Sequence, residues 1–405
     1  AILTAIIGDS ERGRAIGYWS SATTITTVGG PILGGAFADT GFWRGVFFIN
    51  LPLAVLALWS LRVVPETRDE DAPGRIDYPG AALTVIGLAG LTFGLIQLGE
   101  RGVGEALSRP LTLIALAAGF VMLGVFAWWE SVTAHPLVNL DLFRSRTFAG
   151  ANLMTGFLYA ALGSAIFFLP LNLIQVQGYS SSVAGFTFLP FSIMLAVLSP
   201  LAGNLADRYG ARTLLAAGPL IVGTGFAALA LPGVTGGASD YWTTYLPGVL
   251  LIGLGMGITV APLTSTVMGA VPSRQSGTAS GINNAISRQG QVIGLALFGA
   301  VALGVFSVAL SYELDDTDLA PEQVATLEAR ASDLANTTPP DDWSESAADD
   351  ADRAIDSAFV TTFRPLMLLG TVLAVVSATL AILLIAPDAA QSEGNQAGSD
   401  GDPDA

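Results

Sequence analysis

Long apolar runs, each broken by a short polar turn, dominate the chain from end to end. A helix needs about 20 apolar residues to cross the hydrocarbon core of a bilayer. The runs predict ten such spans, near 14–38, 45–63, 79–99, 111–130, 147–174, 180–203, 212–232, 242–268, 277–310 and 359–386. From Thr147 to Gly203 no Asp, Glu, Lys or Arg interrupts the run, and only the polar turn from Gly178 to Ser182 divides it. Trp43, Trp128, Trp129, Tyr241 and Trp242 fall at predicted span ends, where amphipathic rings suit the bilayer interface.

Arginine sets the expected orientation, because short loops rich in it stay cytoplasmic. One side carries Arg12, Arg14, Arg62, Arg68, Arg75, Arg144, Arg146, Arg208, Arg212 and Arg274; the short loops of the other carry Arg44, Arg101 and Arg109. The long acidic loop over 311–358 is therefore expected outside the cell. Within it, Val324, Leu327, Ala331 and Leu334 predict a short amphipathic helix over Pro321 to Leu334. The tail 388–405 is small and polar, and is expected to be disordered and cytoplasmic.

Composition agrees with a bilayer as solvent. Of 405 residues, 52% are hydrophobic and 12% charged, against about 25% charged in soluble domains. The absence of cysteine excludes disulfides, thiolate–zinc sites and thiol catalysis. The net charge of −16 argues against nucleic acid as a partner. The chain opens with Ala1 inside an apolar stretch that runs to Ile7, so an N-terminal part is expected to precede it.

Two motifs carry a mechanism. The first runs from Gly203 to Arg212 in a tight turn between spans, with glycines for a sharp reversal and Asp207, Arg208 and Arg212 to pair with one another, a helix end or lipid phosphate. It resembles the signature loop of the major facilitator superfamily, G-x-L-a-D-r-x-G-r-k, through Leu205, Ala206, Asp207, Arg208, Gly210 and Arg212; Thr213 replaces the final lysine. The second is Gly30, Pro31, Gly34 and Gly35 in the first full span. Proline bends the helix, and Gly30 with Gly34 forms a small-xxx-small face for close packing. This resembles the antiporter signature in the fifth helix of drug exporters, although Thr26 stands where glycine is common. The run from Trp43 and Arg44 through Asn50 to Pro52 fits the same family. An echo of Arg12 before Gly30 and Gly34 is seen in Arg274 before Gly290 and Gly294, as two related halves would give.

The resemblance fixes a register. If 14–38 is the fifth helix, the spans 79–99 and 111–130 are two extra helices between the halves, the mark of fourteen-helix drug:proton antiporters. The expected fold is all-α and polytopic, a major facilitator fold without its first four helices. Residues 1–64 end the N-terminal half, with Ala1 to Ile7 as the stub of the fourth helix; 65–146 are a linker with two membrane helices; 147–387 form the C-terminal six-helix half.

Arg288 is the one charge deep in a predicted span, about 16 Å beyond the span start near Gly277. Such a charge faces a cavity or a partner: a structural ion pair, or a cation lining the substrate path. Asn284 lies beside it, and Asn152 and Asn172 are the other cavity or coupling candidates, with interhelical bonding as the alternative. Glu130 and His135 sit at a span edge. No catalytic, cofactor or metal pattern is present, so no enzyme is expected. The resemblance implies a monomeric plasma-membrane exporter of lipophilic small molecules, coupled to protons and bathed in membrane lipid. Export of one metabolite, lipid or siderophore is the nearer alternative, and a membrane sensor the remoter one. All 17 basic residues are arginine. With so acidic a balance this halophile-like composition predicts loss of activity when molar salt is removed, and full activity in dilute buffer is the result that would overturn it.

Overall fold

A computed structural model of the chain describes residues 29–62, 77–272 and 275–386. Among the described residues the apolar runs form helices, and polar residues beside them supply several of the stops. Asp77 caps α3 (Tyr78–Arg101) by accepting from the Gly80 amide at 2.9 Å. Ser145 caps α5 (Arg146–Val176) through the Phe148 amide at 3.3 Å. Side-chain oxygens at these positions satisfy donors that the first helical turn leaves free. Upstream lie α1, over 29–39, and α2, Gly45–Ser60. Between α3 and α5 runs α4, Pro110–Val132; after them come α6 (Leu189–Tyr209), α7 (Ala211–Leu229), α8 (Leu246–Gly269), α9 (Ser276–Asp315), α10 (Pro321–Glu328) and α11 (Glu345–Leu384). Among the described residues eight helices are long and apolar enough to cross a membrane.

Six of them, α5 to α9 and α11, form one bundle. In it α5 lies between α9 and α11, α7 packs on α8 and α11, and α6 packs on α8. Phe148, Phe168, Phe226, Phe298, Phe306 and Phe359 fill its centre, all essentially inaccessible. The hairpin α3–α4 leans on α9 through α3. Its outer face shows Leu111, Ile114 and Phe120 at 64–68% exposure. Apolar faces of that extent need lipid, since a soluble monomer does not tolerate contiguous patches of this kind.

The bundle has two distinct ends. The segment 316–344 covers one, here termed the cap end; Arg212 and the start of α9 mark the other. At the cap end the structure departs from the expected loop over 311–358. Helix α9 continues to Asp315 and α11 already begins at Glu345, so each has 40 residues and reaches about 60 Å, twice the hydrocarbon core. Ser344 caps the early start of α11 through the Ala347 amide, and Ala351, Ala354, Ile355 and Ala358 are buried at helical spacing. The amphipathic helix expected to Leu334 stops at Glu328. A further 3-10 turn over Ala331–Asn336 follows, with Leu334 at φ 53°. The break keeps the apolar residues inward: Leu327 and Ala335 are buried, and Val324, Ala331 and Leu334 pack against the core. The stub at 1–7, the first half of the 14–38 span and the 388–405 tail lie outside the described residues.

Close backbone approach sets the α5–α9 spacing. A Cβ on Gly290 would come within 2.6 Å of the Gly156 carbonyl oxygen, and one on Gly294 would collide with Ala160. Gly281, on the same helix, faces open space. Gly290→Ala is expected to lower stability by about 1–3 kcal/mol, the cost of forcing extra volume into a packed contact. Gly281→Ala should leave it unchanged or slightly raised. Thermal unfolding in lipid nanodiscs compares the two, and equal effects would show that the α5–α9 contact does not set the packing.

Candidate functional site

The helix bearing Pro31 runs antiparallel to the short helical lead-in Ser181–Phe186 that precedes α6. Contact is backbone to backbone: a Cβ on Gly35 would collide with Ser181, and one on Gly185 with the Pro31 carbonyl. Gly30 and Gly34, the pair expected to pack closely, have nothing within 4 Å among the described atoms. Gly35 makes the close approach because it faces Ser181 one helical turn before α1 ends. Pro31, Gly34 and Gly35 also line an apolar cavity of about 510 Å³, closed by Ile166 and Pro170 of α5 and by Phe188, the residue that precedes α6.

At the cap end Asp39 completes this junction. Its two carboxylate oxygens accept the amides of Ser181 and Ser182 at 2.8 and 2.9 Å. Those are the first free donors of the lead-in, whose cap Ser180 accepts from Val183 at 3.3 Å. Hydrogen bonding from Ser182, hydroxyl and then amide, with a smaller share from Ser181, holds the Asp39 carboxyl below the usual carboxylate range.

A second cavity, of about 560 Å³, lies on the far side of α5 against α9. Leu153, Phe157, Ile286, Ile293 and Leu297 give it apolar walls, with Asn152 and Gln289 as its polar lining. Asn152 is buried and already bonded: its amide donates to the Phe148 carbonyl at 2.9 Å, and its oxygen accepts from Asn283 at 3.1 Å. Asn283 also donates to the Thr155 hydroxyl at 2.9 Å. Asn152 therefore ties α5 to α9 and has little left for a ligand. Asn284 turns its amide to the Ser280 carbonyl of its own helix at 3.1 Å. Gln289 donates to Thr92 of α3 at 3.2 Å.

Arg288 is exposed on the side of α9 that faces Tyr159 of α5, and its charge acts on the Tyr159 hydroxyl. It has no ion pair among the described residues. Asn172 sits elsewhere, at the cap end in the π-helical last turn of α5, about 30 Å along the helix from Asn152. Its amide donates to the Tyr245 hydroxyl at 2.9 Å, and its oxygen is buried without a partner among the described residues. The four candidates thus do not converge: Arg288, Asn284 and Asn152 share the α5–α9 region, and Asn172 does not.

In the signature turn, α6 runs through Gly203, so the reversal belongs to Gly210 alone, at φ 82°. Arg212, in the first turn of α7, donates to the Ile382 carbonyl in the last turn of α11, where a cation suits the helix end. The side chains of Asp207 and Arg208 lie outside the described residues. Asp39, Asn283 and Thr155 were not singled out by the sequence. Asp39 does have a signal there: it stands one helical turn past Gly35, where the span ends.

The described residues thus form an all-helical bundle with the lengths and apolar faces of a polytopic membrane protein. The chain belongs to the Major Facilitator Superfamily, whose description matches residues 1–295, a family of transporters and not of enzymes. It is 32% identical over 329 residues to the multidrug resistance protein Stp of Mycobacterium tuberculosis, covering 80% of this chain and 59% of that protein. The puromycin resistance protein pur8 of Streptomyces alboniger is 30% identical, covering 76% of this chain and 61% of its own length. The multidrug export protein EmrB of Escherichia coli is 31% identical, over 68% and 53%. The chain thus spans less than two thirds of these relatives. Its fold matches a bacterial homologue of the human lysosomal transporter Spinster with a TM-score of 0.54 at 18% identity, over 95% of this chain and 72% of that one.

Because Asp39 is held low, the stability it gives the α1–α6 junction is present above the unfolded carboxylate value of 3.8 and is lost only as pH falls through its lower folded value. Spin labels on Thr40→Cys and Val183→Cys, in a chain without native cysteine, are expected to keep their separation between pH 7 and pH 5. Asp39→Ala should widen it at pH 7. Widening of the unsubstituted junction already at pH 5 would show that this carboxylate does not hold it.

Proposed function

We propose that the chain belongs to an exporter of lipophilic, drug-like molecules that works by alternating access and proton antiport. The observation that carries this reading is the junction of α1 with the lead-in to α6. It joins a helix assigned to the N-terminal half (1–64) to one assigned to the C-terminal half (147–387), with α3 and α4 in the linker (65–146). Two halves that rock about a central site need such a contact at one end. Arginine places the Arg212 end in the cytoplasm and the acidic cap outside, in the plasma membrane. The junction then closes the outer side, and the cavities beside α5 accept lipophilic substrate from within.

The names of the relatives, multidrug resistance and export among them, support drug-like substrates. The apolar cavity walls support the same chemistry. Arg288, exposed on α9 beside Tyr159 of α5 and without an ion pair among the described residues, is our candidate for a cation on the substrate path. Proton coupling requires a titratable carboxyl group. Among the described residues Glu130 is the buried acid, at the cytoplasmic end of α4, with one oxygen accepting the Val138 amide at 2.9 Å and the carboxylate of Asp77 beside it.

In inverted vesicles carrying the complete transporter, a panel of lipophilic dyes should be moved only while a proton gradient stands. Movement indifferent to collapse of the gradient would rule out antiport. Movement of one dye class alone would favour the narrower reading, a specific metabolite or lipid exporter. Arg288→Ala is expected to cut export about tenfold, the scale of one lost charge-assisted contact; normal export by a folded variant would remove Arg288 from the path.

A further inference from the structure

A third cavity lies apart from both of those, under the cap. It measures about 380 Å³ and is bounded by α3, α5, α9 and the turn over Ala331–Asn336. Ile96, Phe168, Leu171, Leu295 and Leu303 give it apolar walls, and Glu100 and Asp333 stand in its lining. Among the described residues no basic side chain lines it. We propose that this cleft is a second binding site, on the cap side of the bundle, for amphipathic organic cations.

Backbone geometry places both carboxylates. Gly99 meets Gly299 and Ala296 so closely that a Cβ on Gly299 would come within 2.7 Å of the Gly99 carbonyl oxygen. That contact brings the end of α3, and Glu100 with it, onto α9. On the cap side Leu334 holds a left-handed backbone at φ 53°, a conformation that non-glycine residues keep only where their surroundings enforce it. The Thr337 hydroxyl and the Asp333 amide both donate to the Arg330 carbonyl, at 3.0 and 2.9 Å, and fix the turn over the cleft.

Charge selects the ligand. Neither Glu100 nor Asp333 forms an ion pair among the described residues. The nearest cations in sequence are engaged elsewhere: Arg101 with Gln97 at 2.8 Å and Glu105 at 3.5 Å, Arg330 with the Thr338 carbonyl at 3.1 Å. Glu100 has only a long contact from Gln97, at 3.5 Å. Two uncompensated carboxylates over an apolar wall attract a positive charge carried on a greasy body. Phe167, half exposed in the same lining, adds an aromatic ring, a surface that itself attracts cations. Anionic lipid headgroups are repelled from the same place.

The test measures binding and needs no transport, so its failure and failure of the export reading are separate results. The chain in nanodiscs is titrated with tetraphenylphosphonium and with tetraphenylborate, which share a shape and differ in the sign of their charge. The phosphonium should bind in preference to the borate, and more weakly as salt rises. Glu100→Gln and Asp333→Asn should each weaken it about three- to tenfold, the effect of one partly screened charge. Ile96→Trp, which fills the cleft, should remove the site. Equal binding of the two ions would mean that the cleft is merely apolar and open to lipid-like molecules, and would overturn the proposal. Unchanged phosphonium binding in the Glu100→Gln/Asp333→Asn double variant would overturn it as well. So would a charge effect that survives Ile96→Trp, because the ligand would then sit elsewhere.

Discussion

Backbone-to-backbone contact between helices is what the rest of this structure depends on. In lipid, burying one leucine against another gains little over burying it against an acyl chain, so helices associate only where shape brings many atoms together. Here small residues make that possible at each principal junction: Gly290 and Gly294 of α9 against α5, Gly99 of α3 against Gly299 of α9, and Gly35 of α1 against the lead-in to α6. Each contact places a polar feature. The first sets the polar tie between Asn152 and Asn283, the second carries Glu100 to the capped cleft, and the third aligns Asp39 with Ser181 and Ser182.

The second constraint is polar satisfaction. Without water, an unpaired polar group in a span is expensive. Thr155, Ser164, Thr259 and Thr362 return their hydroxyls to carbonyls four residues back, at 2.6–2.9 Å. Ser377 bonds across to the Met154 carbonyl at 3.0 Å. Once these demands are met, few polar atoms remain to line a cavity. The two cavities beside α5 are apolar for that reason, and Arg288 stands out as a charge with no ion pair among the described residues.

Much of this was legible in the sequence. The spans follow from run length, and the family from the Gly-Pro and Asp-Arg patterns. The early start of α11 was not legible as a helix. Its residues Ala351, Ala354, Ile355 and Ala358 carry helical spacing but sit among Asp349, Asp350, Asp352 and Asp356, so the charge masks the period. The four site candidates were chosen by residue type, and type does not report where a side chain turns. Asn284 faces its own backbone and Asn172 the far end of α5, outcomes set by helical phase and tertiary packing. Asp39 escaped notice because an acid just past a span reads as a solvated end; its role needs the partner helix, 142 residues away.

Alternating access, as proposed above, requires some junctions to part and others to hold, and the physical chemistry sorts them. The α5–α9 contact is buried and its asparagine pair is satisfied only when closed, so separating it would strand polar groups in lipid. The Asp39 junction is different. The carboxylate is exposed, and the amides it accepts are the free donors of a helix start, which water can satisfy in its place. No ion pair is broken when it opens, and no charge is left buried. A contact formed by an anion and a helix terminus is therefore directional enough to register two helices and weak enough in water to release them. That combination suits the moving seam between two halves, while the glycine-packed seams within the bundle keep each half rigid as it moves.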